Sequence, residues 1–227
     1  MCGRFASTTP PDKLAAYFGA EAPLLGDEEI NADYNVAPTR DVPIVRVRED
    51  ERHLDYLRWG LVPRWAKDLR IGSKMINARA ETVATKNSFR SAFAKRRCLV
   101  AADGFYEWKR LDPKTKQPMY IHRTDGDPLA FAGLYERWTD AENLREIHTC
   151  TIITTTPNEM MSEIHDRMPV LLAPQRWQEW LDPANSNIGN LQRLLVPAPE
   201  ALLTSYAVSS AVNSVKNNNA DLVVPIS

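Results

Sequence analysis

The chain is poor in the features that most quickly declare a biochemical class. Glycine supplies only 9 of its 227 residues against 16 prolines, so stiff rather than floppy connections are expected. No glycine-rich phosphate loop of the Walker or dinucleotide type occurs. The three cysteines, Cys2, Cys98 and Cys150, cannot form a disulfide framework and are expected to be free thiols in a reducing compartment. Cys-x-x-Cys and His-Glu-x-x-His are both missing, which argues against a zinc site, and there is no Gly-x-Ser-x-Gly elbow. No apolar run approaches the ~18 residues of a spanning helix. Met1–Thr9 has one arginine and no apolar stretch of the secretory type. These absences predict a cytoplasmic protein with no membrane partner.

What is present is ordinary globular composition, 44% hydrophobic and 25% charged, which excludes a disordered chain. The formal net charge of −1 conceals a segregation. Residues 1–57 hold 6 basic and 11 acidic side chains, net −5; residues 58–110 hold 13 and 4, net +9; residues 111–227 hold 9 and 14, net −5. A strongly basic quarter inside a near-neutral chain suits a polyanion-binding face, although a solvated basic surface has the same signature. Aromatics interleave with these cations: Trp59, Trp65, Phe89, Phe93, Phe105, Tyr106 and Trp108. Rings that stack on bases beside cations that track phosphates fit single-stranded nucleic acid. Most of these rings are expected in the core; Trp65, after Pro63 and between Arg64 and Lys67, is the one expected on the surface.

Periodicity predicts a short helix after Pro10–Pro11, with Leu14, Tyr17 and Phe18 on one face. Residues 20–41 read as irregular. Pro43–Arg48 and His53–Trp59 read as strands joined by a hairpin over Glu49–Arg52. Met75–Glu81 is extended, and Thr82–Arg97 is expected to be helical. Cys98–Trp108, Met119–Arg123, Leu129–Arg137 and Ile147–Thr156 are further strands. Asn158–Ile164, Pro174–Leu181 and Ile188–Leu194 are helices, and Tyr206–Val208 and Leu222–Val224 are edge strands. Strands follow strands through short loops, without regular strand–helix alternation. The expected fold is therefore α+β: one domain over 1–227 with a mainly antiparallel, barrel-like sheet flanked by short helices.

Four positions carry chemistry. Methionine before a small residue is normally trimmed, which would leave Cys2 with a free α-amine and a thiol on one residue. In model compounds these titrate near ~8 and ~8.5. Such a residue can attack a carbonyl through sulfur with the amine as base, as in N-terminal nucleophile hydrolases. It can also condense with an aldehyde through nitrogen and close a thiazolidine through sulfur. Gly3 allows close approach and Arg4 places a phosphate-binding cation beside it. Glu107, between aromatics in Ala102-Asp103-Gly104-Phe105-Tyr106-Glu107-Trp108, is either a carboxyl raised by desolvation for acid–base work or one half of a structural salt bridge. His165 has Asp166 to orient it and Arg167 to hold a phosphate. Asn77 and Arg79, two apart on an extended segment, could polarise a carbonyl and grip a phosphate, or form an Asx turn.

Together these segments resemble the SOS-response-associated peptidase (SRAP) family. The matching stretches are Met-Cys-Gly-Arg-Phe at 1–5, Tyr-Asn-Val-Ala-Pro at 34–38, Trp-Gly-Leu-Val-Pro-Arg-Trp at 59–65, Ile-Asn-Ala-Arg-Ala-Glu-Thr at 76–82, Asp-Gly-Phe-Tyr-Glu-Trp at 103–108 and Ile-His-Asp-Arg-Met-Pro at 164–169. Val208-Ser209 and Val215-Lys216-Asn217 look like its C-terminal segment. The resemblance implies the SRAP fold and a DNA-damage role: binding single-stranded DNA and cross-linking to the ring-opened aldehyde of abasic sites. It implies Cys2 as nucleophile, Asn77 holding the α-amine or sugar oxygen, Glu107 as acid/base and His165 as proton donor. Arg4, Arg79 and Arg167 would clamp phosphates, Thr154 would add a contact, and Pro38 and Trp65 would form a wedge that stacks on bases.

Two departures stand out. Where some members carry a second tryptophan this chain has Ala66, and where some carry arginine after Val-Ser it has Ser210. Neither a metal nor another cofactor is expected, and a monomer is, nucleoid-associated when bound to DNA. The competing expectations are a cysteine peptidase with Cys2 as nucleophile and His165 as base, and a non-covalent binder of single-stranded or modified DNA.

Overall fold

A computed structural model of the chain describes residues 2–23, 30–142 and 144–226. Its strands are β1 (Phe5–Ser7), β2 (Asp33–Val36), β3 (Asp41–Arg48), β4 (Glu51–Trp59), β5 (Asn77–Arg79), β6 (Arg97–Ala102), β7 (Gly104–Arg110), β8 (Lys116–Arg123), β9 (Leu129–Thr139), β10 (Glu146–Thr155), β11 (Met168–Pro169) and β12 (Leu203–Ala207). The α-helices are α1 (Pro11–Phe18), α2 (Arg90–Lys95), α3 (Glu159–Ser162), α4 (Pro174–Leu181) and α5 (Ile188–Arg193).

The strands form two bodies. An antiparallel sheet runs β12-β8-β7-β1-β2. A closed barrel runs β10-β4-β3-β6-β9 and returns to β10 through the β9–β10 hairpin. The expected barrel-like, mainly antiparallel α+β architecture is what the chain adopts. Side-chain alternation along the barrel strands separates two cores. Ile44, Val100, Phe131 and Ile152 face a layer shared with Phe5, Phe105 and Ile121 of the sheet. Val45, Leu99, Ala132 and Ile153 face the other way, under Leu14 and Phe18 of α1, Phe93 of α2, and Trp177 and Trp180 of α4.

Strand β10 is the spine. On one edge its first half pairs with β9, and the edge continues antiparallel against β11. On the other it runs parallel to β4 at Thr149–Cys150 and then to β5 at Ile152–Thr154. Its C-terminal half is thereby clasped between the strand that carries Asn77 and Arg79 and the strand that follows His165 and Arg167.

Several sequence expectations need correction. Over Thr82–Arg97 only Arg90–Lys95 is helical. Residues 82–89 form successive turns, such as Lys86 N–H to Thr82 O at 2.9 Å and Phe89 N–H to Lys86 O at 2.9 Å, as Thr82, Thr85, Asn87 and Ser88 favour over continuous helix. Cys98–Trp108 is not one strand: the chain leaves the barrel at Asp103 and enters the other sheet. Leu222–Val224 is no edge strand; Ala220–Val223 is a 3-10 turn with the Asn219 side chain capping Asp221. The irregular stretch 20–41 contains β2, and its residues 24–29 lie outside the described residues. The β3–β4 turn is tighter than expected. Arg48 pairs with Glu51, and Glu49 and Asp50 take φ of 49° and 66°, as a type I′ hairpin turn requires. The cysteines of the described chain are free, as expected.

Candidate active site and nucleic-acid face

The N-terminus is set between the two bodies by β1. Phe5 pairs with Phe105 and Ala6 with Gly104, and the Tyr106 N–H donates to Arg4 O at 2.9 Å. The same register carries Gly3 opposite Glu107. Asp103 fixes this register from behind, accepting from the backbone N–H and hydroxyl groups of both Thr8 and Thr9. Asn77 closes the other side: its Nδ2 donates to Cys2 O at 2.8 Å. Trp59, whose ring lies 5.0 Å from that of Phe5, donates through Nε1 to Ile76 O at 2.9 Å and so holds the residue before Asn77.

Cys2 is fully buried. Burial first, and the Glu107 carboxyl second, push its thiol well above the ordinary range, so the sulfur is a neutral thiol near neutrality. Glu107 points into the layer between the sheet and the barrel, and desolvation raises its carboxyl above the usual value while the His165 charge opposes the rise. His165 Nε2 stands 3.9 Å from Glu107 Oε2. The Arg167 backbone N–H donates to His165 Nδ1 at 3.0 Å. The exposed Asp166 carboxylate lies 2.9 Å from the same Nδ1. Asn77 Oδ1 is buried without a hydrogen-bond partner, an acceptor left open beside Cys2. Of the ionic neighbours of Glu107, His165 is one.

Cys2, Asn77, Glu107 and His165 therefore converge from the lead-in to β1, from β5, from β7 and from the turn before β11. A second group lies at the clasp around β10. Arg79 is exposed beside Thr154, its pairing partner in register. Thr154 is fully buried, and its oxygens face Arg167, whose Nη2 donates to Thr154 O at 2.6 Å. Thr154 thus sits beneath Arg167. Arg167 also grips Glu81, a residue that the sequence reading passed over.

Arg4 is placed differently. It follows the face of Tyr106, under the C-terminal segment, and its Nη1 is committed to Asn35 Oδ1 at 2.7 Å and Val212 O at 2.9 Å. Any phosphate contact by Arg4 must use its other donors. Asn35, also passed over, is buried and donates to Val212, Ser214 and Asn217 carbonyls at 3.3, 3.0 and 2.8 Å. A buried asparagine in a short strand has no sequence signal that separates it from a turn asparagine.

Trp65 is 60% exposed on a loop whose neck is held by the backbone. Gly60 N–H donates to Cys150 O at 2.8 Å, Leu61 N–H to Met75 O at 3.1 Å, and Val62 N–H to Thr149 Oγ1 at 2.9 Å. Gly60 has φ 126°, and a Cβ there would stand 2.7 Å from Gly72 O, so the neck of the loop closes only with glycine. Ala66, the departure noted above, is buried against Trp138, whose Nε1 donates to Ala66 O at 2.7 Å. Position 66 therefore faces inward. Pro38 is half-buried in the turn after β2, and Thr39 N–H donates to Trp59 O at 2.8 Å, which ties that turn to the strand leading into the Trp65 loop. Among the described residues one cluster could hold a cation, Glu21, Glu51 and His53; it shares no residue with the site. Among the described residues no helix is long and apolar enough to cross a membrane.

The chain also resembles known proteins. The family model described as SOS response associated peptidase (SRAP) matches residues 1–215. The chain is 48% identical over 223 residues to a Bacillus subtilis protein named abasic site processing protein YoqW, covering 98% of this chain and 99% of that one. It is 35% identical over 236 residues to Escherichia coli abasic site processing protein YedK, covering both chains in full. A chicken protein, abasic site processing protein HMCES, is 31% identical over all of this chain and 78% of its own. A solved structure of a protein from Bacteroides thetaiotaomicron has a TM-score of 0.89 at 28% identity, over 99% of this chain and 100% of that one. The chain belongs to the SOS response associated peptidase family.

Proposed function

We propose that this protein acts in the DNA-damage response by binding single-stranded DNA and capturing abasic sites covalently as a thiazolidine at Cys2. The observation that carries the reading is the convergence of Cys2 with Asn77, Glu107 and His165, together with relatives named as abasic site processing proteins.

Removal of Met1 frees the Cys2 α-amine. An abasic deoxyribose in its open form offers an aldehyde at C1′. The amine adds to that carbon, and loss of water gives an imine. The Cys2 sulfur then adds to the imine carbon, its proton passes to nitrogen, and the five-membered ring closes. Each step has a group suited to it. Glu107, a carboxyl kept protonated to higher pH by burial, can donate to the ring oxygen as the sugar opens and take the proton back later. His165 would serve the sugar hydroxyl as proton donor during condensation. Asn77 Oδ1, open and buried, can accept from the new amine. A peptidase at Cys2 would need its thiolate, which burial opposes.

Arg79 and Arg167 would hold phosphates flanking the lesion, Thr154 would seat Arg167, and Trp65 with Pro38 would stack against neighbouring bases. Recognition of unpaired strands would rest on an exposed aromatic ring and phosphate-binding cations rather than on a groove-reading helix.

The test is incubation with abasic and intact oligonucleotides, followed by a denaturing gel and intact-mass measurement. The expected result is a shifted band with the abasic strand alone, from protein lacking Met1, and no stable adduct from Cys2→Ser. A full-strength adduct from Cys2→Ser, or from protein that retains Met1, overturns the mechanism. Peptide cleavage dependent on Cys2, without any adduct, would establish the peptidase instead. Salt-sensitive binding that yields no denaturant-resistant product would establish a non-covalent binder.

A further inference from the structure

Glu81 follows β5 by two residues and meets Arg167 end-on: Arg167 Nη1 lies 2.6 Å from Glu81 Oε1, and Nη2 lies 3.0 Å from Oε2. Thr154 O holds Nη2 from the protein side at 2.6 Å. The Arg167 side chain is 12% exposed and the Glu81 side chain 48%, so the carboxylate stands on the solvent side of the arginine. The hydrogen bond from Arg167, and to a smaller degree the Arg79 charge, keep the Glu81 carboxyl below its ordinary range. An ionised carboxylate in an arginine fork presents two oxygens sharing one negative charge, as a phosphodiester does. Glu81 therefore fills the anion position of Arg167, within the field of Arg79, the two cations assigned above to the DNA backbone.

We propose that Glu81 is an internal stand-in for a DNA phosphate, occupying the Arg167 fork in the free protein and giving way when a strand binds. The inference rests on the DNA-capture reading. Its consequence is specificity. An intact strand gains the Arg167 contact only by displacing a carboxylate already there, so non-covalent binding is weakened. An abasic strand is retained by its covalent bond whatever that competition. The arrangement holds Arg167 ready while lowering residence on undamaged DNA.

The experiment measures binding of an intact single-stranded oligonucleotide to full-length protein across a salt series, for wild type, Glu81→Gln, Arg167→Gln, Arg167→Lys and the double variant Glu81→Gln/Arg167→Gln, each checked by thermal unfolding. The expected result is tighter binding by Glu81→Gln, about three- to fivefold, the scale of one partly exposed ion pair. The salt slope should steepen by up to about 0.7, one single-strand phosphate contact no longer offset by a released carboxylate. The gain should vanish in the Arg167→Gln background, the non-additivity that marks a shared partner. Unchanged or weaker binding by Glu81→Gln makes Glu81 a strut for Arg167 and overturns the inference, as does a gain that persists without Arg167. If Arg167→Gln folds and binds as wild type, the phosphate role of Arg167 fails and the inference fails with it. Should Arg167→Gln not fold, Arg167→Lys serves as the background: an ammonium lacks the fork, so the gain from Glu81→Gln should be smaller there than in wild type, and an undiminished gain overturns the inference.

Discussion

Asn77 donates Nδ2 to the backbone oxygen of Cys2 at 2.8 Å, while its own Oδ1 is buried with no partner. One amide thereby holds the reactive residue and leaves an acceptor open beside it. An unsatisfied buried oxygen costs about 1–3 kcal/mol and is tolerated where a ligand or reacting group completes it. Asn77→Ala removes both functions. The expected outcome is adduct formation slowed about 10- to 100-fold, the scale of a misplaced reactant, with the unfolding midpoint little changed, because the orphaned oxygen leaves too. Single-turnover gel kinetics with a saturating abasic oligonucleotide check this. A wild-type rate would remove Asn77 from the mechanism.

Glu107 couples activity to stability in opposite senses. Burial raises its carboxyl above the ordinary 4.5, so the folded chain keeps this proton to higher pH than the unfolded chain does. Below the unfolded value both states are protonated and the group costs nothing. As pH rises through the folded value a charge is imposed on a buried site, and stability is lost until both states are ionised. Glu107→Gln keeps the shape and never ionises. The variant is expected to be inactive or strongly slowed, yet at pH 7 no less stable than wild type, its advantage growing from about pH 4.5 upward. Thermal unfolding from pH 4 to pH 8 measures this, and a variant progressively less stable than wild type as pH rises would refute it.

Asp103 serves the site from outside it. Its carboxylate takes four donors from Thr8 and Thr9, and this fastening sets the register that brings Gly3 opposite Glu107. Asp103→Ala is expected to cost about 2–4 kcal/mol, given about 1.5–3 kcal/mol for a hydrogen bond to a charged group and partial replacement by water. Adduct formation should fall as well, although Asp103 touches no reacting atom. Chemical denaturation and gel kinetics on one preparation measure both effects. A loss of stability with a wild-type rate would separate the fastening from the site.

Much of the fold was legible because it is locally encoded. The β3–β4 hairpin follows from two alternating runs around a charged turn, α1 from Pro11 and the Leu14–Tyr17–Phe18 face, and the surface position of Trp65 from its charged neighbours. Long-range pairing was not legible. Asp103 interrupts an apolar run because its partners lie at Thr8 and Thr9, and nothing in residues 98–108 announces that two sheets meet there. The parallel contact of β4 with β10, on which barrel closure depends, leaves no mark in either segment. The site divides in the same way. Cys2 declares its chemistry by position and Glu107 by a charge among aromatics, but the Asn77–Cys2 tie and the Arg167–Glu81 fork exist only once β5 and β11 are laid against β10.

The Trp65 loop joins an exposed aromatic to a rigid support, and the two contributions can be measured apart. Trp65 is largely in solvent, so Trp65→Ala should change stability by no more than about 0.5 kcal/mol. If the ring stacks on a base, single-strand affinity should fall by about 1–3 kcal/mol. Trp138 meets no solvent-side ligand; its indole N–H holds Ala66 O at 2.7 Å, and its ring packs on Val62 and Ala66. Trp138→Phe keeps most of the packing and leaves that carbonyl unpaired, at a cost of about 1–3 kcal/mol in stability. Affinity should fall less than in Trp65→Ala, and the double variant should bind no worse than Trp65→Ala alone, because a loosened support matters only while the ring is present. Fluorescence anisotropy with a labelled oligonucleotide gives the affinities. Additive losses in the double variant would mean that Trp138 acts on DNA by a route other than the Trp65 loop.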